Sequence, residues 1–184
     1  SKDFYTLQKV YTSGAITSCD LLEKAKEIFR QSQVLNVYGL TEAGPRVTAQ
    51  REMNCNGSVG KPISGVEVYI GSHDGKYFNF KNLVGKIYVK TDSLMCGYYN
   101  DFESTSNKIK NGIIDTGDIG YINSDGELFV IGRADEMIIS SAHNVYPDAI
   151  ENVIYMYNSK LENIVFGIED KLYGQKIICF FSDE

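Results

Sequence analysis

Positive charge is in short supply in this sequence. Among its 184 residues, 18 lysines and arginines stand against 24 aspartates and glutamates, so the formal net charge at pH 7 is −6. General binding to nucleic acid needs a basic surface that neutralises phosphates, so this balance argues against a nucleic-acid partner. A substrate that carries phosphates would have to be bound by local hydrogen-bond donors.

Ligands of the zinc-binding kind are also few. The four cysteines lie far apart without a Cys-x-x-Cys pair, and the chain has two histidines. A structural zinc site is therefore not expected. We interpret the cysteines as reduced, mostly buried thiols of a cytoplasmic protein; they are Cys19, Cys55, Cys96 and Cys179.

Long apolar runs are missing as well. No run reaches 18 apolar residues, so no membrane-spanning helix is predicted, and the polar start Ser1-Lys2-Asp3 does not resemble a signal peptide. The residues that are present, 43% hydrophobic and 23% charged, are typical of a soluble globular protein. The length suits one domain, or one domain and part of another.

The strongest functional signal lies in the stretch Val37–Gly44. Residues 34–38 form an apolar run typical of a short buried strand, and Gly39 can adopt the positive φ of a sharp turn. Thr41 and Glu42 would then lie beyond the carboxyl end of that strand, where open α/β sheets bind ligands. A hydroxyl can donate to a phosphate oxygen while a carboxylate holds Mg²⁺. A plain β-turn-helix junction is the alternative interpretation.

A strand and a helix are predicted before this stretch. Residues 8–12 are typical of a strand that ends in the small-residue loop Ser13-Gly14-Ala15, and Ser18 can cap a helix over residues 19–31. The strand-helix-strand order makes the two strands parallel, so both loops should open on one sheet edge. There the small residues could lie against a flat ring, or serve a tight turn alone. The predicted apolar face of the helix is Leu21, Leu22, Ala25, Ile28 and Phe29.

Residues 58–131 are predicted to be mostly β structure. Alternation of apolar and polar residues at 66–70 and 86–89 has the period of half-buried strands. We predict turns at Lys61-Pro62 and at residues 73–76, and a second hairpin that joins residues 120–122 to 127–131.

Two charged residues near the end of this region have two interpretations each. Asp118 is predicted to follow a strand in a turn, where it either accepts backbone hydrogen bonds or accepts from two ribose hydroxyls. Arg133 either pairs with Asp135 or Glu136 as an exposed ion pair, or donates to a ribose or phosphate.

The last part of the chain has the pattern of a small α+β domain. Tyr146-Pro147 should open a helix, since proline suits the first helical position. Two strands are predicted after it, at residues 163–168 and 176–181. The predicted buried stripe of the helix is Ile150, Val153, Ile154 and Tyr157.

Taken in order, these motifs resemble the AMP-forming acyl-CoA synthetases of the adenylate-forming superfamily. The resemblance covers nearly the whole chain, through residues 13–15, 38–42, 57–62, 85–89, 95–99, 115–118, 132–135 and 145–151. It implies an α/β plus β architecture. Residues 1–134 would be the distal part of the large AMP-binding domain, with a parallel βαβ unit and a β subdomain. Residues 135–184 would be an incomplete, mobile C-terminal α+β domain.

The resemblance also implies roles for individual residues. Thr41 would contact the α-phosphate of ATP or AMP, and Glu42 would bind Mg²⁺, which makes these two the candidate catalytic residues. Asp118 would hold the ribose hydroxyls with help from Arg133, and Asp135 would be the hinge between the domains. The remaining nucleotide-binding candidates, around adenine, are Ser13, Gly14, Ala15, Tyr38 and Gly39.

The activity implied is that of an ATP-dependent, AMP-forming ligase. It would activate a carboxylic acid as acyl-AMP and transfer the acyl group to the thiol of CoA or of a phosphopantetheine carrier. The family's lysine-bearing phosphate loop and its C-terminal catalytic lysine have no counterpart in these 184 residues, so the isolated chain is expected to be inactive. Ala142 stands where the family commonly has a glycine at the pantetheine tunnel.

Two kinds of partner are consistent with this interpretation. One is a complementary N-terminal fragment that carries the phosphate loop, and the other is an acyl carrier protein. The alternative function is a non-catalytic interaction module, or pseudo-subunit, that pairs with another chain through an open sheet edge.

Overall fold

The computed structural model describes residues 6–15, 17–71, 77–78 and 81–182. The chain divides into two compact units. The first comprises residues 1–116 and 120–130, and the second comprises residues 117–119 and 131–184. Of the helices in the described ranges, none has the length and apolarity needed to cross a bilayer.

A four-stranded sheet, in the order β1-β2-β3-β4, opens the first unit. Its elements are β1 (Lys9–Thr12), α1 (Cys19–Ile28), β2 (Gln33–Leu40), β3 (Gly44–Ala49) and β4 (Lys61–Pro62). β1 and β2 are parallel, whereas β3 and β4 run antiparallel to their neighbours. The predicted parallel strand-helix-strand unit is therefore confirmed.

The prediction of a turn at Lys61-Pro62 is wrong. These residues form β4 and pair with Thr48 and Ala49 of β3. Proline lacks a backbone N–H, but β4 is the last strand in the order of this sheet, and an edge strand tolerates that loss.

Helix α1 is shorter than predicted and buries less of its apolar face. Ser18 caps it as expected, with its side chain accepting a hydrogen bond from the Leu21 N–H. The helix ends at Ile28, and Lys26 Nζ donates to the carbonyls of Arg30 and Ser32 just beyond it. Leu22 is buried, but Leu21 and Ile28 are 50% and 65% exposed.

The second sheet supplies most of the first unit's core. Its strands are β5 (Val66–Gly71), β6 (Tyr77–Phe78), β7 (Gly85–Thr91), β8 (Ile109–Lys110), β9 (Ile113–Ile122) and β10 (Leu128–Arg133), with helix α2 (Phe102–Lys108) between β7 and β8. The predicted alternation holds in β5, where Val68 and Ile70 are buried and Glu67 is exposed. In β7, Ile87 and Val89 are buried as predicted, but Tyr88 between them is buried as well. The core is completed by Ala43, Val47, Ile114 and Leu128.

Asp118 lies inside β9, so the prediction of a turn at this residue is wrong. The residue before it, Gly117, has a φ of 83°, which interrupts the extended backbone within the strand. Its carbonyl accepts a hydrogen bond from the Ala134 N–H. A Thr-Gly-Asp sequence has the composition of a turn, but here the irregular backbone falls within a long strand.

Of the two predicted hairpins, one is confirmed. β9 and β10 are joined at Asn123, whose backbone N–H donates to the Glu127 carbonyl. The turn predicted at residues 73–76 lies outside the described residues, although β5 and β6 on either side of it pair antiparallel.

The second unit contains an antiparallel sheet and one helix, which is the predicted α+β arrangement. Its sheet has the order β12-β11-β14-β13. The elements are β11 (Ile138–Ser140), β12 (His143–Val145), α3 (Pro147–Tyr157), β13 (Asn163–Asp170) and β14 (Gly174–Phe181).

Helix α3 buries only part of the predicted stripe, in which Ile150 and Ile154 are half-buried. Pro147 begins the helix and is buried, and Glu151 accepts a hydrogen bond from the Val165 N–H of β13. Val153 and Tyr157 are 66% and 90% exposed, so their assignment to the buried stripe is wrong. They lie four residues apart on the row next to the one that faces β13.

The prediction of reduced, mostly buried cysteines is also wrong. Cys19 at the start of α1 and Cys55 in the loop after β3 form a disulfide, with their Cα atoms 5.0 Å apart. Cys96 is exposed and Cys179 is partly exposed. The two bonded cysteines are 36 residues apart in sequence, so their contact depends on the fold.

Candidate functional site

The turn after β2 has the predicted position but a different backbone. β2 continues through Gly39 to Leu40, and the φ of Gly39 is not positive. Instead, a Cβ at residue 39 would overlap the carbonyl group of Pro45. Glycine is required here because the backbone of β3 approaches β2 closely, and the positive φ, 96°, occurs at Gly44.

Thr41 and Glu42 lie in the turn between β2 and β3. Thr41 is exposed and Glu42 is half-buried. Glu42 accepts two hydrogen bonds: its carbonyl from the Met95 N–H at 2.8 Å, and its Oε1 from the Tyr98 hydroxyl at 2.8 Å. Within the described ranges, Oε2 accepts no hydrogen bond. An exposed hydroxyl therefore stands beside a carboxylate with one oxygen held and one available.

The loop Ser13-Gly14-Ala15 lies at the same edge of the sheet. β1 and β2 are adjacent and parallel, and their pairing ends at Thr12 and Asn36, so both strands lead into their loops in the same direction. All three loop residues are exposed, and a Cβ at Gly14 would meet no atom within 4 Å. Tyr38, on β2, packs its half-buried ring against the core of the first unit.

Asp118, Arg133 and Asp135 form an ion-pair cluster in the second unit. Arg133 Nη1 lies 3.2 Å from Asp118 Oδ1, and Arg133 Nε lies 3.1 Å from Asp135 Oδ1. The Asp135 hydrogen bond, together with the charges of both aspartates, raises the pKa of Arg133, while burial opposes the rise. Of the two pairing partners considered for Arg133, Asp135 is the one that forms the pair. The side chain of Asp118 is 14% exposed, so its position is well fixed.

Asp148 is a half-buried acid of this region that was not predicted as a site residue from the sequence. Burial raises its pKa, and the nearby charges of Glu136, Glu151 and Asp118 raise it further, while Arg133 lowers it. A Cβ on Gly132 would come within 2.9 Å of Asp148 Oδ2. Gly132, next to Arg133 in the sequence, could have indicated that another group packs closely against the backbone. A glycine alone does not show that this group is Asp148.

Tyr98 is the second site residue whose own role was not predicted from the sequence. It is 56 residues from Glu42 in sequence, and no local pattern links the two. The first unit therefore brings together the loop 13–15, the turn 41–43 and Tyr98, and the second unit brings together Asp118, Arg133, Asp135 and Asp148. The convergence of Glu42 and Asp118 on one nucleotide stays a prediction.

Comparison with known proteins identifies the family. The family model described as AMP-binding enzyme matches residues 1–99. The putative acyl-CoA ligase YdaB of Bacillus subtilis (strain 168) is 39% identical over 180 residues, which cover 97% of this chain and 35% of that protein. This chain thus spans about a third of the length of that relative.

Solved structures show the same relationship. The o-succinylbenzoate CoA synthetase (MenE) from Bacillus subtilis, in complex with the acyl-adenylate intermediate OSB-AMP, matches with a TM-score of 0.84 and 30% identity, over 94% of this chain and 36% of that chain. The same enzyme in complex with ATP and magnesium ion matches with a TM-score of 0.82 and 30% identity, over 95% of this chain and 36% of that chain. The resemblance and the fold class predicted from the sequence are confirmed. With a family model that matches over half of its residues, this chain belongs to the family of AMP-binding enzymes.

Proposed function

We propose that this chain is part of an ATP-dependent, AMP-forming ligase that activates a carboxylic acid as acyl-AMP and transfers it to the thiol of CoA. The proposal is supported by the similarity to proteins described as acyl-CoA ligases and CoA synthetases. The single observation that carries it is the sheet edge of the first unit. There the loop 13–15 and the turn 41–43 follow adjacent parallel strands, and Glu42 keeps one carboxylate oxygen available.

In this proposal the loop 13–15 and the turn 41–43 bind the adenine and phosphate end of the nucleotide. Ser13, Gly14 and Ala15 offer an exposed backbone against which a flat ring can lie, and Thr41 donates its hydroxyl to an α-phosphate oxygen. Glu42 fits a Mg²⁺ ion, because its available oxygen is the hard ligand that this cation prefers. When bound, Mg²⁺ neutralises negative charge on the phosphates.

Asp118 and Arg133 are the proposed ribose-binding residues. Asp118 accepts hydrogen bonds from the ribose hydroxyls, and Arg133, which pairs with Asp118 Oδ1, holds that carboxylate in its orientation. Residues 1–134 then correspond to the distal part of the large domain and residues 135–184 to part of the small one. Asp135 is the hinge, and its exposed pair with Arg133 is weak enough to break when the backbone rotates.

Adenylation suits this chemistry because a free carboxylate is a poor acyl donor. Its oxygen attacks the α-phosphate of ATP, and pyrophosphate leaves. In the acyl-AMP that forms, AMP is a good leaving group when a thiol attacks the acyl carbon, which gives the thioester and free AMP. In this proposal Thr41 and Arg133 stabilise negative charge by donating hydrogen bonds, which is the electrostatic form of catalysis.

Calorimetry with AMP tests the nucleotide site on the whole 184-residue chain. We expect weak binding that Asp118→Ala weakens at least about tenfold, equivalent to about 1.4 kcal/mol. Asp125→Ala is the matched control, because Asp125 is an exposed acid in the hairpin turn and should have no effect. Absence of any binding heat would instead favour an interaction module that pairs with another chain.

An exchange assay on the same polypeptide tests the expected inactivity. We expect no ATP-pyrophosphate exchange, since the phosphate loop and the catalytic lysine of the family have no counterpart in these 184 residues. Robust exchange would contradict this part of the proposal. Polypeptide segments that supply both the phosphate loop and the catalytic lysine should restore exchange.

A further inference from the structure

The carboxylate of Glu42 is held from one side by a segment that comes much later in the chain. Tyr98 donates its hydroxyl to Glu42 Oε1 at 2.8 Å, and the Met95 N–H donates to the Glu42 carbonyl at 2.8 Å. The turn after β2 is thus attached to residues 95–98 through both its backbone and its acidic side chain. This leaves Oε2 as the carboxylate oxygen without a hydrogen bond from the described residues.

Tyr98 is itself fixed by the turn that leads into α2. Its backbone N–H donates to Thr105 Oγ1 at 2.9 Å, and that hydroxyl donates to the Asp101 carbonyl at 2.7 Å. Gly97 has a φ of 146°, and a Cβ there would come within 2.9 Å of Thr105 Cγ2. Asp101 in turn caps α2 by accepting from the Ser104 N–H. The hydroxyl of Tyr98 therefore has a defined position.

We propose that Tyr98 is a positioning residue for Glu42: its hydroxyl fixes the carboxylate so that Oε2 is presented to a divalent cation bound with the nucleotide. This inference rests on the proposed function, in which Glu42 is the metal ligand. A phenol suits the task because it donates a hydrogen bond without adding positive charge. A lysine or arginine in its place would repel the cation.

Removal of the hydroxyl should therefore weaken the metal more than the nucleotide. Hydrogen-bond partners that orient a metal ligand are commonly worth about 10- to 100-fold in metal affinity. Tyr98→Phe keeps the half-buried ring and deletes one oxygen, so it tests this contribution directly. Tyr99→Phe is the matched control, since it makes the same change one residue away on a ring that is 93% exposed.

The experiment measures Mn²⁺ binding to the whole chain in the presence of ATP by electron paramagnetic resonance. AMP binding without metal is measured alongside by calorimetry. We expect Tyr98→Phe to weaken Mn²⁺ binding about 10- to 100-fold while AMP binding without metal changes less than about twofold. Tyr99→Phe should bind Mn²⁺ like the wild type, and Glu42→Gln should abolish Mn²⁺ binding to the protein. Thr105→Val, which removes the acceptor for the Tyr98 N–H, should give a smaller loss of the same kind.

The outcomes separate this proposal from the proposed function. If Glu42→Gln loses Mn²⁺ but Tyr98→Phe and Thr105→Val bind it like the wild type, Tyr98 has no positioning role and the metal site stands. If the wild type itself shows no nucleotide-dependent Mn²⁺ binding, both proposals fail together. Circular dichroism melts of each variant show that a loss of binding is not a loss of fold, and Thr105→Val decides the question if Tyr98→Phe unfolds.

Discussion

The turn between β11 and β12 holds two non-glycine residues in the left-handed backbone region. Ser140 pairs with His143, and the two residues between them, Ser141 and Ala142, have φ values of 50° and 65°. Positive φ at both central residues is the type I′ hairpin turn, which favours asparagine and glycine. A Cβ in this region is sterically unfavourable, so the turn stores strain at Ala142.

We predict that Ala142→Gly stabilises the protein by up to about 1 kcal/mol, because it removes the Cβ from a left-handed residue. Ala149→Gly is the control, since it makes the same change at an exposed position of α3 and should destabilise by up to about 1 kcal/mol. Urea unfolding of the three proteins measures both values. A loss of stability in Ala142→Gly would show that the turn is not strained at this residue.

Single residues were predictable from the sequence where their role is local. Ser18 could be recognised as a helix cap, because a cap bonds to a backbone group three residues away. Glu42 could be recognised as an acid in a turn after a buried strand. Its partner Tyr98 could not be found, since the two are 56 residues apart. The half-buried position of Asp148 against Gly132 depends in the same way on the folded second unit.

At the scale of elements, the strands were more predictable than the irregular segments. Alternating residues gave the correct faces of β5, because burial on one face of a sheet imposes period 2, whereas β7 buries Tyr88 as well as Ile87 and Val89. Turn-like composition gave wrong predictions at Lys61-Pro62 and at Asp118, because proline or glycine lies within a strand at both places. Helix faces were predicted too broadly, since α1 and α3 each bury a narrow row of residues.

The disulfide joins two elements that the sequence does not relate. It connects the start of α1 to the loop after β3, and a buried hydrogen-bond network holds the same loop from the other side. In that network Gln50 Nε2 donates to the carbonyls of Asn54 and Ser58, and the Asn36 N–H donates to Gln50 Oε1. The loop that carries Cys55 is thus fixed to β2 as well as to α1.

We predict that Cys55→Ser lowers the free energy of unfolding of the oxidised protein by roughly 2–4 kcal/mol. The bond closes a loop between residues 36 positions apart and so restricts the unfolded chain. Cys96→Ser is the control, because Cys96 is exposed and free. Unfolding midpoints with and without reductant check the prediction: reductant should lower that of the wild type and leave that of Cys55→Ser unchanged. Equal midpoints for oxidised and reduced wild type would contradict it.

At the scale of the whole molecule, the excess of acidic residues affects stability differently in different places. The net charge of −6 is spread over many exposed carboxylates, which interact weakly through solvent. In the second unit, however, Asp118, Asp135 and Asp148 lie near a single arginine, Arg133, and the charge of Glu136 also acts on Asp148. Burial and the nearby carboxylates both raise the pKa of Asp148. The effect of Asp148 on stability should therefore change with pH in the direction opposite to that of an acid whose pKa is lowered by hydrogen bonds.

Asp148 and Asp170 should therefore give opposite dependences of stability on pH. The pKa of Asp148 is raised above its ordinary value of 3.8, chiefly by burial, so the folded state holds this proton more tightly than the unfolded state does. Its contribution to stability is fully present below pH 3.8 and is lost as pH rises through the raised pKa. Hydrogen bonds from the Tyr173 and Leu172 N–H groups lower the pKa of Asp170, so its contribution is present above the ordinary value and is lost as pH falls.

We predict that Asp148→Asn is more stable than the wild type at pH 7 and that the difference vanishes near pH 3, because the neutral amide replaces a carboxylate that is costly to ionise in the folded state. Asp170→Asn is the matched control in the same unit and should be less stable than the wild type at pH 7, since the amide accepts the two N–H bonds more weakly than a carboxylate. Urea unfolding at pH 3, 5 and 7 measures both. If Asp148→Asn were less stable than the wild type at pH 7, the prediction would be wrong. The ionised Asp148 would then make favourable contacts that outweigh the cost of its burial, and the group of acids around Arg133 would stabilise the fold.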